Sequence, residues 1–213
     1  MSAAVAGALL DIGAVGFCAA QPIRFKSGLL SPVYCDNRRF PFHPAAWRVV
    51  IDSFAERIMS EGIAFDAIAG IEAAGIPHSA ALGFALARPS VFVRKQAKEH
   101  GTKKLVEGGD VDGRRVLLVE DLVSTGMSSL AGVRALRAGG ATVNDCLAIV
   151  SYEMPEAEAA FAEAGVRLHT LTEFAEVMAT AAQREIVDPQ TLGIVLDWFA
   201  DPHGWERRAG WSA

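Results

Sequence analysis

Glu120 and Asp121 stand side by side where the apolar run Val116-Leu117-Leu118-Val119 ends, and Leu122-Val123-Ser124-Thr125-Gly126-Met127-Ser128-Ser129 follows directly. Hydroxyl side chains and a glycine here, ahead of a helix carrying Leu130, Val133 and Leu136, form a site for a phosphate. The backbone N–H groups of the helix start and the hydroxyls of Ser124, Thr125, Ser128 and Ser129 would donate to its oxygens. The paired carboxylates would repel that phosphate. They make sense if they accept hydrogen bonds from neutral hydroxyls close by, such as the 2′ and 3′ pair of a ribose bearing a 5′-phosphate. Helix capping alone accounts for Ser or Thr at such a turn, but not for two consecutive acids closing a buried strand. The segment is not a P-loop, because GxxxxGK[ST] is absent.

A second cluster, Arg94-Lys95-Gln96-Ala97-Lys98-Glu99-His100-Gly101-Thr102-Lys103-Lys104, follows Val91-Phe92-Val93. Residues 88 to 104 hold six Lys or Arg and one acid, a local +5 within a chain total of −5, which leaves about −10 for the rest. A charge run is ordinarily a solvated face. The glycines Gly101 and Gly108-Gly109 favour a mobile loop instead, spanning 94–110. A mobile cationic loop beside a phosphate cradle is what neutralising a departing pyrophosphate requires.

These clusters need a scaffold, and the hydrophobic pattern supplies one. Trp47, Val50, Ile51, Phe54 and Ile58 recur at spacings of three and four between His43 and Gly62, which predicts an amphipathic core helix ending at a glycine. Short apolar runs at 67–69, 91–93, 116–119 and 146–150, separated by helix-like or turn-rich sequence, read as buried strands with helical crossovers. The helix after Ser129 ends at Gly139-Gly140. The expected architecture is an open, mainly parallel α/β sheet flanked by helices, with its ligand site beyond the carboxyl ends of the strands. No repeat or low-complexity linker divides residues 1–213, so a single domain is expected.

Composition narrows the class of partner. The chain is 51% apolar and 21% charged, which excludes disorder and collagen-like structure. With 20 Lys and Arg against 25 Asp and Glu, it lacks the excess of cations that nucleic acid or an anionic membrane selects. Cys18, Cys35 and Cys146 are odd in number and widely spaced, which fits a reducing cytoplasm and no disulfide framework. The five histidines show no metal-ligand spacing, so no metal cage of protein side chains is expected. The apolar N-terminus loosely resembles a signal peptide, but Asp11 interrupts it and the first basic residue is Arg24, so neither secretion nor a membrane span is expected. Met127 and Met178 are expected to serve packing, and Cys35 to be a buried inert thiol. Trp198, Trp205 and Trp211 are expected to pin the tail to the core or to a partner subunit.

The strand–acid–acid–hydroxyl–Thr–Gly pattern of Val116–Gly126 resembles the phosphoribosyl-diphosphate (PRPP) motif of the type I phosphoribosyltransferases, which names a superfamily but no substrate. Arg94-Lys95-x-x-Lys98-x-His100-Gly101 is similar to the catalytic loop of the orotate phosphoribosyltransferase family. Phe25–Gly28 with Ser31–Arg38 resembles that family's N-terminal hairpin, Gly70–Pro77 its pyrophosphate-side loop, and Ser151 through the Trp205 region one bacterial branch. The likeness covers almost the whole chain.

The resemblance implies a phosphoribosyltransferase fold with residues 1–42 as a small N-terminal hood. It implies that Glu120 and Asp121 hold the ribose hydroxyls. The turn from Leu122 through Val123, Ser124, Thr125, Gly126 and Met127 to Ser128 would hold the 5′-phosphate, and Ser124 would also touch orotate. Arg94, Lys95, Lys98 and His100, with Lys26, would surround a pyrophosphate that carries Mg²⁺, the metal resting on substrate oxygens and water. It also implies a homodimer in which Lys98 reaches the partner's site. The substrates would be PRPP and orotate, the products orotidine monophosphate and pyrophosphate, and Lys98, Glu120 and Asp121 the catalytic groups. Many family members place an Asp-Arg pair after the strand 147–150, the arginine meeting the orotate carboxylate; here Tyr152-Glu153 stands instead. Lys26, or N–H groups near Tyr34 and Cys35, are the candidates for that carboxylate. Three alternatives share parts of the pattern: a transferase for a purine or uracil, a non-catalytic PRPP-sensing regulator, and a sugar-phosphate binding module.

Overall fold

The apolar opening of the chain folds as helix α1 (Ser2–Asp11), with Val5 to Leu10 buried. The structure is a computed structural model describing residues 1–25, 28–96 and 104–211. Four short strands follow, β1 (Val15–Phe17), β2 (Ile23–Arg24), β3 (Leu30–Ser31) and β4 (Val33–Cys35). They pair antiparallel as two ribbons, β1 with β4 and β2 with β3. A 3₁₀ helix (Asn37–Phe42) leads into α2 (Pro44–Ser60), the helix expected from the spacing after His43. Proline at its first position suits a helix start, where no N–H partner is lost.

From there strands and helices alternate: β5 (Ala67–Ile71), α3 (Gly75–Ala85), β6 (Ser90–Val93), β7 (Val106–Glu107), β8 (Val116–Val123), α4 (Met127–Ala138), β9 (Asp145–Ser151), α5 (Pro155–Glu163) and β10 (Arg167–Glu173). Three helices end the described chain: α6 (Phe174–Gln183), α7 (Pro189–Ala200) and α8 (Pro202–Arg208). The sheet runs in the order β10-β9-β8-β5-β6-β7. All pairs are parallel except β6 with β7. This is the expected α/β architecture. The segment 94–110 is not wholly loop, because Val106 and Glu107 return as an antiparallel edge strand against Val93 and Phe92.

Strand alternation divides the interior between the two faces of the sheet. Leu117 and Val119 of β8, with Leu147 and Ile149 of β9, join the core beneath α1, α2, α6 and α7. Leu118, Cys146 and Ala148 join the core beneath α4 and α5. Both faces are covered, which is why the central strands read as continuous apolar runs. At the carboxyl edge of β5 the chain passes very close to β8. A Cβ on Gly75 would lie 2.6 Å from the Val119 carbonyl oxygen, so α3 can start there only with glycine. No helix among the described residues is long and apolar enough to cross a membrane.

Candidate active site

Glu120 and Asp121 lie inside β8, which continues to Val123, and do not follow the strand as the apolar run alone suggested. Glu120 is buried at 4% exposure. Its Oε2 accepts from Ser128 Oγ at 3.0 Å and Ser129 Oγ at 3.5 Å, and its Oε1 accepts from the Asp121 N–H at 3.1 Å. Burial, and then the charge of Asp121, push the Glu120 carboxyl well above the usual carboxylate range. Burial also raises Asp121, against hydrogen bonds from Glu120, from backbone N–H groups and from Asn37. Burial thus raises both neighbouring acids, and their oxygens can accept hydrogen bonds from a hydroxyl-bearing ligand.

Beyond β8 the turn reaches Gly126, whose φ of +76° suits glycine, and α4 starts at Met127. No side chain caps this helix start. Its first N–H groups and dipole therefore face outward, a ready anion site. A Cβ on Gly126 would come within 3.0 Å of the Phe161 ring, so the turn rests on α5. In front lies a pocket of about 350 Å³ whose wall is Leu122 to Ser129. Opposite stand Tyr34 and Cys35 of β4, Lys95 beyond β6, and the rings of Phe25 and Tyr152. The structure thus brings together the expected residues Leu122 to Ser128, Tyr34, Cys35 and Lys95. Met127 was expected to pack; at 65% exposure it lies on the surface at the pocket rim, whereas Met178 is buried as expected.

The remaining expected residues lie elsewhere. Arg94 turns from the pocket to pair with Glu107 of β7, Nη1 to Oε1 at 3.1 Å. The antiparallel return of β7 makes that partner available. Lys26, Lys98 and His100 lie outside the described residues, as do residues 97–103 of the expected mobile loop. The Lys95 N–H donates to Glu72 Oε2 at 3.0 Å, tying the basic segment to the loop after β5. Cys35 was expected to be buried but is half-buried in the pocket wall; its Sγ donates to Asn37 Oδ1 at 3.5 Å, and desolvation with nearby carboxylates pushes its thiol up.

The base side of the pocket is aromatic. Tyr152, at 3% exposure, stacks on Phe25 at 5.9 Å and meets Phe174, Trp198 and Phe199 edge-on. Trp198 Nε1 donates to the Leu30 carbonyl at 2.7 Å, and Arg24 forms a two-pronged ion pair with Glu206 of α8. Trp198 and Trp205 are buried and pin the tail to the N-terminal ribbons, while Trp211 is 43% exposed. Sequence reasoning placed Phe25 and Asn37 in the hairpin and Glu72 in the pyrophosphate-side loop, but singled out none of them as a site residue. A buried asparagine carries the same letter as one in a turn, and only the fold shows that Asn37 Nδ2 donates to the Asp121 carbonyl at 3.0 Å.

No group of three or more His, Cys, Asp or Glu among the described residues could hold a metal ion. A mainly parallel sheet whose central strand carries two acids immediately ahead of a pocket-lining turn and an open helix start defines a phosphoribosyltransferase. The Phosphoribosyl transferase domain pattern matches residues 42–159. Orotate phosphoribosyltransferase of Coxiella burnetii is 40% identical over 202 residues, 95% of this chain and 97% of that protein. The crystal structure of orotate phosphoribosyltransferase from Aeropyrum pernix is 30% identical, with a TM-score of 0.75 over 84% of this chain and 98% of its own. That of Mycobacterium tuberculosis H37Rv in complex with PRPP is 27% identical, with a TM-score of 0.64 over 82% and 97%. The chain belongs to the orotate phosphoribosyltransferase family.

Proposed function

We propose that this chain transfers the 5-phosphoribosyl group of PRPP to orotate, giving orotidine 5′-monophosphate and pyrophosphate in pyrimidine biosynthesis. The observation that carries this reading, within the family, is the uncapped start of α4 set against buried Glu120 and half-buried Asp121. The helix start, with Ser124 and Thr125, takes the 5′-phosphate, and the carboxylates lie where the ribose hydroxyls come to rest. Breaking the bond from C1′ to pyrophosphate builds positive charge on the ribose ring and negative charge on the leaving group. Glu120 and Asp121 supply negative field near the first, and Lys95 with Lys98 neutralises the second. A Mg²⁺ ion carried by the substrate would add charge neutralisation there. Orotate nitrogen then bonds to C1′, so no covalent enzyme intermediate is required.

The same reading makes residues 1–213 one domain in a cytoplasmic homodimer, with Lys98 and His100 completing the partner's site. Lys26, or N–H groups near Tyr34 and Cys35, meets the orotate carboxylate, because Tyr152 is locked into the aromatic core. The test is a spectrophotometric orotate assay with PRPP and Mg²⁺, run against adenine and uracil. Orotate alone should be consumed. Lys98→Ala should lower turnover far more than it weakens PRPP binding; equal losses in kinetics and calorimetry refute its role on the leaving group.

A further inference from the structure

Asn37 makes contacts that its place in a short 3₁₀ helix does not require. It is fully buried, 84 residues in sequence from the strand residue that it binds. Its Nδ2 donates to the Asp121 carbonyl at 3.0 Å, and the same amide lies within hydrogen-bonding reach of the Asp121 carboxylate. Its Oδ1 accepts from Cys35 Sγ. One side chain thus addresses both the main chain and the acid of a single residue in β8.

Asn37 is supported from behind. His78 of α3 is buried, and its Nδ1 accepts from Trp47 Nε1–H at 3.0 Å, which leaves the ring proton on Nε2. That Nε2 lies beside the Asn37 carbonyl yet makes no hydrogen bond of ordinary geometry. Phe40 meets the same imidazole edge-on at 6.1 Å. The Asn37 backbone is wedged between α3 and β8, with little freedom to recede.

We infer that Asn37 is a positioning residue that orients the Asp121 carboxylate toward the ribose hydroxyls of PRPP, with Trp47 and His78 as its buttress. The inference rests on the assignment of Asp121 to the ribose made above. An amide aimed at a carboxylate fixes one of its lone pairs and leaves the others for a ligand. It also favours the ionised acid, against the burial that raises it. The titratable neighbours of Asp121 are Glu120 on its own strand, Cys35, Arg38 and Tyr152. Changing Asn37 leaves Glu120, Arg38 and Tyr152 untouched and takes away only the hydrogen-bond partner of Cys35 Sγ, whose thiol burial keeps protonated.

The experiment compares wild type with Asn37→Leu, which removes the amide, and Asn37→Asp, which keeps the shape and loses the donor. PRPP affinity is measured by calorimetry with Mg²⁺, kcat/KM for PRPP and KM for orotate by kinetics, the pH profile of kcat/KM between 5 and 9, and folding by thermal melts. Loss of a hydrogen bond to a charged group predicts a fall in kcat/KM for PRPP of about ten-fold or more. KM for orotate should stay within about two-fold, and the acid limb should move to higher pH. If Asn37→Leu does not fold, Asn37→Asp gives the same loss for PRPP with a larger move of the acid limb, because it also sets a second acid beside Asp121. Folded variants with PRPP parameters within about two-fold of wild type, or with equal losses for both substrates and an unmoved acid limb, overturn the inference. A wild type that fails to consume orotate overturns the functional reading alone, since calorimetry of PRPP still reports on Asn37.

Discussion

Replacing His78 by glutamine removes a proton-binding group from the interior while leaving an acceptor for the Trp47 N–H. Burial pushes the His78 imidazole down to about 4. In the unfolded chain it titrates near 6.5. Between these values the unfolded state takes up a proton that the native state refuses. Stability contributed by the neutral imidazole is therefore complete above pH 6.5 and is lost as pH falls toward 4. One pKa unit is worth about 1.4 kcal/mol, so the displacement amounts to about 3 kcal/mol at pH 4 and about 2 kcal/mol already at pH 5. That is a large share of the roughly 5–15 kcal/mol that holds a domain together. Glu120 and Asp121 act with opposite sign, because raised carboxyls gain native protons as pH falls, but they are common to both proteins and cancel in the difference. Urea unfolding followed by tryptophan fluorescence at pH 7.5 and 5.0 reads the effect. Wild type should lose about 2 kcal/mol more than His78→Gln between these pH values. A loss equal in both proteins to within about 0.5 kcal/mol would refute the neutral, buried imidazole.

Gly75→Ala should lower the melting temperature, because a Cβ 2.6 Å from the Val119 carbonyl meets backbone that cannot yield. Overpacking of this kind costs about 1–3 kcal/mol, or roughly 2–10 °C in a chain of this size by calorimetry. Trp198→Phe leaves the Leu30 carbonyl without its buried donor and should cost about 1–3 kcal/mol in a urea titration. The same variant should raise KM for orotate while PRPP affinity holds, because the β2–β3 ribbon loosens and the phosphate turn does not.

The central strands and α2 were legible because burial on both faces of a sheet, or on one face of a helix, writes itself into apolar spacing. The phosphate turn was legible because acid, hydroxyl and glycine types are each demanded by local chemistry. What escaped was set by distant partners. Strand β10 alternates Leu168, Thr170 and Thr172 with His169 and Leu171, a pattern too polar to stand out, and it forms because β9 offers a ladder. Arg94 was expected beside the pyrophosphate, but the antiparallel return of β7 places Glu107 within 3.1 Å of it. Asn37 and His78 owe their roles to contacts 84 and 31 residues away, which no local window contains.

The brace between the two ends of the chain has a consequence for how the protein is made. Arg24 and its ribbon must wait for Glu206, 182 residues later, before the ion pair can close. At about 5–20 residues per second, a ribosome needs roughly ten to forty seconds to span that interval. During that time the phosphate turn can already be folded while the wall facing it has no support. A nascent chain would therefore acquire its grip on PRPP before its grip on the base, and a nascent-chain arrest series would reveal the two capacities one after the other.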